Sequence, residues 1–235
     1  MITAASNSRI KRLVQLNQKS KLRRTEDVFL AEGVKMFLEA PREQLQEVYV
    51  SESFLEKCSC REHLGEVGYE VVSDSVFSKI SDTCTPQGVL CVLKQFHYNI
   101  EEMLRDKAPL FLLLENIQDP GNLGTMLRTG EGAGVSGIIM SRDTVDLYNP
   151  KVIRSTMGSI YRVPFYYADD FAAAVHQVQQ AGVSVYAAHL RGKNSYACQD
   201  YTKGTAFLIG NEGNGLREET AELADCYIRI PMEGK

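Results

Sequence analysis

The sequence predicts an α/β chain built mostly on parallel strands, with a small α/β domain over residues 1–104 followed by a larger one over 105–235. Three observations predict it. Short apolar strand patterns alternate with helical stretches along the chain, as in βαβ units. Two of those strands, Leu110–Leu114 and Thr205–Ile209, are continuously apolar, as strands covered on both faces are, and each runs into a polar loop and then a helix. Finally, 14 of the 18 glycines lie after the charged connection Gln95–Ala108, where tight loops against a ligand would use them.

In the first domain, strand patterns at Val28–Ala31, Val48–Ser51, Tyr69–Val72 and Val89–Leu93 alternate with helices around Val34–Glu39, Phe54–Leu64 and Ser75–Ile80. A short helix, Ile100–Asp106, sits in the connection. After Leu110–Leu114, Asp119-Pro120-Gly121 is turn chemistry, and Asn122 is expected to cap a helix whose inward face is Leu123, Met126 and Leu127. Arg128 then falls in its second turn, with Gly124 one turn earlier on the same face, leaving room for a substrate. Beyond it come strand Gly137–Met140, helix Pro150–Tyr161, strand Val163–Tyr167, helix Asp170–Gln180 and strand Val183–His189. Thr205–Ile209, a helix from near Leu216 and strand Tyr227–Ile230 complete the pattern. The dinucleotide fingerprint G-x-G-x-x-G is missing after the first strand, which disfavours a nicotinamide dehydrogenase.

Composition narrows the class further. At 235 residues, 44% hydrophobic and 24% charged, the chain can bury a substantial core. It contains no run near the roughly 18 apolar residues of a membrane span, and its start, MITAASNSRIKRL, lacks a secretory apolar stretch, so cytoplasm is the default compartment. The six cysteines form no C-x-x-C pair; Cys58-Ser59-Cys60 is the only close spacing, and no metal site is expected. A net charge of -4 carries no global nucleic-acid signature. The first 24 residues are different: they hold Arg9, Lys11, Arg12, Lys19, Lys21, Arg23 and Arg24 with no acid. Such a run either neutralises phosphates or is the solvated face of an amphipathic helix that packs Ile10, Leu13, Val14 and Leu16 inward.

Four segments in order, NIQDPGNLGTMLRT, RSTMGSIYRVP, LIGNEGNGL and YIRIPM, resemble the SpoU (TrmH-type) branch of the SPOUT RNA methyltransferases. The resemblance covers essentially the whole chain and is strongest from Leu110 onward. It implies an α/β knot in place of a plain Rossmann-like sheet, a small amino-terminal domain that binds RNA, a homodimer formed through the second domain, and S-adenosylmethionine as cofactor. After YIRIPM the family continues with a Ser-Leu-Asn-containing loop and a closing helix, whereas this sequence ends at Pro231-Met232-Glu233-Gly234-Lys235, so a second domain short of the third motif is expected.

The same resemblance assigns roles to residues. Arg128 takes the place of the first motif's arginine; because arginine stays protonated, it is expected to hold the 2′-hydroxyl and a neighbouring phosphate and to stabilise developing negative charge. No general base is identified. Asn116 and Asn122 either shape this loop for the arginine or ribose, or simply cap the turn. Glu212 either holds its loop or takes part in the chemistry beside Arg128 and Asn122. Gly210, Asn211 and Gly213, the strand end at Ile230 and Met232, and His189 with Leu190 are the expected cofactor contacts. The lack of side chains at Gly210 and Gly213 is read as room for a ligand. Arg154 is either a phosphate clamp or a surface ion pair. The reading is a methyltransferase acting on the ribose of structured RNA, ribosomal RNA first; the alternative is a non-catalytic RNA-binding protein.

Overall fold

A computed structural model describes residues 1–57 and 60–231 of the chain. Cys58 of the close cysteine pair and the expected cofactor contact Met232 therefore lie outside the described residues. The chain opens with helices α1 (Ser8–Gln18) and α2 (Ser20–Glu26). These are followed by β1 (Val28–Glu32), α3 (Val34–Leu38), β2 (Leu45–Ser51), α4 (Glu52–Lys57), α5 (Arg61–Val67), β3 (Glu70–Val72), α6 (Asp74–Ile80) and β4 (Val89–Lys94). It continues with α7 (Ile100–Met103), β5 (Leu110–Leu114), α8 (Pro120–Ala133), β6 (Gly137–Ser141), α9 (Pro150–Thr156), β7 (Phe165–Ala168) and α10 (Phe171–Gln180). The last elements are β8 (Ser184–Ala188), β9 (Asn194–Ser195), β10 (Thr205–Ile209), α11 (Glu218–Ala221) and β11 (Cys226–Arg229).

Two compact units result: Met1–Phe96 with Asp146–Tyr161, and His97–Val145 with Arg162–Lys235. The first carries a four-stranded sheet in the order β1-β4-β2-β3, antiparallel except for the β2–β3 pair. Helix α1 forms because its apolar positions recur on one stripe, and it buries Ile10, Leu13 and Leu16 in a core with Leu30, Tyr49, Phe77 and Val92. Helix α9 joins this unit although it comes late in sequence. It stops at Thr156 and does not run on to Tyr161, because Met157 turns left-handed (φ 52°) and Gly158 follows at φ 99°.

In the second unit, seven strands in the order β7-β6-β5-β10-β8-β11-β9 form one sheet in which every pairing is parallel. The continuously apolar β5 and β10 lie side by side, Leu113 against Leu208, as their composition anticipates. Helix α8 is capped by Asp119, whose side chain accepts the N–H of Asn122 at 2.7 Å. The expectation that Asn122 is the cap is thus corrected: Pro120 takes the first helical position, where its missing N–H costs nothing, and the helix starts earlier. Arg128 moves accordingly from the second turn to the third.

Candidate active site

Strand order reverses between β5 and β10, with β6 and β7 to one side and β8, β11 and β9 to the other. Beyond the carboxyl ends of strands at such a switch point, open parallel sheets leave a crevice for ligands. Four segments meet along this edge: Glu115–Asp119 after β5, Gly210–Leu216 after β10, His189–Gly192 after β8, and Ile230 after β11.

The loop after β10 physically holds the loop after β5. Asn211 Nδ2 donates to the Asn116 carbonyl at 2.8 Å, and the Glu212 carboxylate accepts the N–H groups of Gln118 and Asp119 at 3.1 and 3.0 Å and Asn122 Nδ2 at 3.2 Å. Glu212 consequently sits below its ordinary pKa: partial burial pushes it up, and these hydrogen bonds to the charged form outweigh that push. Such a carboxylate is a poor base and a good fastener. Asn211 Oδ1 also accepts the N–H groups of Gly213 and Asn214, both at 3.0 Å, closing the loop on itself. Asn116 turns left-handed at φ 54° and donates its N–H to Ser141 Oγ at 2.9 Å.

Glycine at position 210 has a reason within the fold itself: a Cβ there would lie 2.2 Å from the Leu216 nitrogen, where the chain crosses itself. Around Gly213 only the Asn211 side chain comes near, at 3.6 Å, an ordinary contact.

Arg128 is exposed on α8, and its side chain makes no hydrogen bond or ion pair among the described residues. Gly124, expected to leave open space beside it, is buried with Leu123 and Leu127 in the inward stripe of the helix. On the far side of the crevice, Leu190 is 88% and Ile230 55% exposed, two large apolar side chains left facing solvent at adjacent strand ends. His189 is bound into the structure: its N–H donates to the Ile228 carbonyl at 3.0 Å, and its ring packs on Tyr227 at 5.1 Å. The Arg191 guanidinium lies 5.4 Å from the centre of the Tyr227 ring and pairs with Glu218.

Sequence reasoning missed a network joining these loops, which runs from the buried Glu115 out to the exposed Arg217 and Asp143. Glu115, 1% exposed, accepts the Arg217 N–H at 2.8 Å and the Thr220 hydroxyl, while the Arg217 guanidinium also pairs with Asp143. Asp143 in turn accepts from Ser141 Oγ, and although partial burial pushes its pKa up, the Ser141 and Arg217 contacts hold it below the ordinary value. The only signal in the sequence was an acid placed directly after an apolar strand, too common to single out.

The amino-terminal cations all fall in the first unit, and the structure sorts them. Arg23 is corrected outright: it is 3% exposed, and its guanidinium binds the Leu16 and Asn17 carbonyls and Asp146, so it is part of the core. Arg12 bridges Glu26 and Glu47, both at 2.7 Å, and Arg9 pairs with Glu70 at 2.8 Å. Lys11, Lys19, Lys21 and Arg24 are exposed and without a partner among the described residues. Arg154 pairs with Asp82 at 3.1 Å within the same unit. No helix among the described residues is long and apolar enough to cross a membrane.

Known proteins resemble this chain in both of its parts. Residues 109–235 match the model of the SpoU rRNA Methylase family, and residues 7–91 match that of an MRM3-like substrate binding domain. The chain is 30% identical to the 23S rRNA (guanosine(2553)-2'-O)-methyltransferase RlmP of Bacillus subtilis over 100% of its own length and 91% of that protein. It is also 30% identical to the 23S rRNA (guanosine-2'-O-)-methyltransferase RlmB of Neisseria meningitidis, over 66% of this chain and 64% of that one. Among solved structures, an AdoMet-bound rRNA methyltransferase from Sinorhizobium meliloti superposes with a TM-score of 0.84 at 30% identity, covering 100% of this chain and 89% of the other. The chain belongs to the SpoU rRNA methylase family.

Proposed function

We propose that the chain is an S-adenosylmethionine-dependent methyltransferase that methylates a ribose 2′-hydroxyl of ribosomal RNA. The observation that carries this reading is Arg128, exposed and unpartnered among the described residues on a helix whose entry loop is pinned by Glu212 to the loop after β10. A cation held ready beside a ligand crevice suits a reaction in which a hydroxyl gains negative charge.

The crevice fits the cofactor: the exposed Leu190 and Ile230 offer apolar surface to a ring system, and Tyr227 with His189 backs them. Met232 joins them on the resemblance alone. S-adenosylmethionine supplies an electrophilic methyl group there. Arg128 orients the ribose hydroxyl and an adjacent phosphate and offsets the charge of the attacking oxygen; Glu212 and Asn122 fix the loop that aims it. Residues 1–104 grip the RNA, using the free cations Lys11, Lys19, Lys21 and Arg24, while residues 105–235 hold the cofactor. The cytoplasm as compartment, and a homodimer paired through a knotted second domain, complete the proposal.

The test is calorimetric titration of S-adenosylmethionine, followed by methyl transfer to unmodified ribosomal RNA transcripts read as resistance to alkaline cleavage at one nucleotide. Cofactor binding with a single protected linkage is the expected result. RNA binding without cofactor binding would leave a non-catalytic RNA-binding protein instead.

A further inference from the structure

A cavity of about 520 Å³ opens in the first unit and falls within the ~300–1,000 Å³ of small-ligand clefts. Its walls include Arg9 and Arg12 from α1, Glu47 and Tyr49 from β2, and Tyr69 and Glu70 at the start of β3. Tyr69 is 42% exposed, so part of its ring is open to a ligand, and it also borders a second cavity of about 230 Å³ lined by Leu55, Arg61 and Leu64. The residue thus stands between two hollows. Tyr49, by contrast, is 1% exposed and forms a fixed wall, its phenol donating to Glu47.

The polar groups at the rim come as adjacent donor and acceptor. Arg9 spends one N–H on Glu70 Oε2, leaving its other donors and Glu70 Oε1 unused; the two side chains are 61% and 37% exposed. Arg12 contacts Glu26 and Glu47 through Nε and one terminal nitrogen, leaving the other terminal nitrogen open. Exposed pairs of this kind hold each other weakly and exchange partners readily. Every base sets a donor beside an acceptor, but guanine alone carries two adjacent donors (N1–H and N2–H₂) next to its acceptor (O6), so one carboxylate can accept both while an arginine donates to O6. An aromatic face that accepts a stacked base beside such a pair is how unpaired RNA bases are read.

We propose that this cavity is a nucleobase subsite that takes one unstacked guanine of the substrate RNA, stacked on Tyr69 and read by Arg9 and Glu70. The proposal rests on the RNA-methyltransferase reading and adds to it a fixed point of contact on the first unit. It also gives Arg9 a role that does not depend on phosphate, unlike the free lysines of the arm.

The probe is guanosine 5′-monophosphate, titrated into the full chain by saturation-transfer NMR beside the adenosine, cytidine and uridine monophosphates, which carry the same phosphate. Guanosine monophosphate should bind tightest. Tyr69→Ala should weaken it about tenfold, the scale of one base stack, and Tyr69→Phe should restore it. Glu70→Gln should erase the preference over adenosine monophosphate while leaving weak binding. Equal affinity for all four nucleotides, or guanosine binding unchanged in Tyr69→Ala, would overturn the subsite. So would displacement of the probe by S-adenosylmethionine, which would place it in the other unit's crevice. None of these readouts uses methyl transfer, so failure of the catalytic reading is seen separately, as absence of S-adenosylmethionine binding.

Discussion

Arg128 and Arg23 look alike in the sequence, each an arginine in a helical stretch beside apolar residues, yet the molecule uses them in opposite ways. Arg23 is buried, with its guanidinium held by two carbonyls and Asp146, whereas Arg128 projects from α8 with no partner among the described residues. The surroundings set the difference. Around Arg23 the turn from α1 into α2 presents carbonyls inward, and a guanidinium is the side chain able to satisfy them. No described carboxylate makes an ion pair with Arg128, and that of Glu212, at the start of the same helix, is engaged by Gln118, Asp119 and Asn122. A cation is therefore available for a ligand when its neighbours have been satisfied elsewhere, which no local pattern reports.

Replacing Arg128 should break the comparison most sharply. Arg128→Ala is expected to cut single-turnover methyl transfer roughly 10²–10³-fold, the scale on which removing one charge-stabilising donor acts. Calorimetry should find S-adenosylmethionine affinity nearly unchanged, since the residue lies on α8 and not on the strand ends bearing Leu190 and Ile230. A parallel loss of affinity would mean that Arg128 shapes the site and does not act in it.

At Arg23 the effect should fall on stability. Arg23→Met removes a buried charge from partners that remain, at a cost of roughly 2–4 kcal/mol, the upper part moderated because the Asp146 side chain is 30% exposed. Neutralising Lys19 and Lys21 should leave thermal unfolding in place and instead weaken RNA binding and flatten its salt dependence, by a slope of roughly 0.7–0.9 for each phosphate that is no longer neutralised. Urea unfolding and filter binding at several salt concentrations separate the two. Equal effects on RNA affinity from both changes would erase the distinction between the buried and the free cations.

Much of the fold could be read in the sequence because it is written locally. The unbroken apolar runs Leu110–Leu114 and Thr205–Ile209 became the central pair β5 and β10, and the stripe Ile10, Leu13, Leu16 became the inward face of α1. Even the cap of α8 was within reach, since proline prefers the first helical position and so points to Asp119, not Asn122. What could not be read depends on distant parts of the chain meeting. Residues 146–161 pack into the first unit across some fifty residues of intervening sequence, and Gly210 is fixed by a chain crossing at Leu216. The Glu115–Arg217–Asp143 network joins three loops that only the sheet order brings together. In the arm, the pattern marked seven cations alike; burial and pairing divided them.

The smallest expected effect lies at Glu212, and its direction follows from the charge state that its partners favour. Its pKa is lowered in the folded chain: partial burial would raise it, but the N–H groups of Gln118 and Asp119 and the Asn122 amide outweigh that. A group whose folded value is depressed adds stability that is present above the unfolded carboxylate value, about 4.3, and is lost as pH falls through the folded value. Glu212→Gln imitates the protonated form, since it is neutral and offers an N–H₂ where the carboxylate accepted. The melting temperature of the variant should therefore lie below that of the parent at neutral pH, and the gap should close as pH drops below about 4. Because the residue is exposed, the gap should be modest and its closing should be the more telling observation. A gap that stays constant with pH would mean that charge at Glu212 does not hold the loop before α8. The fastening of the helix that carries Arg128 would then rest on the Asn211 and Ser141 contacts to Asn116.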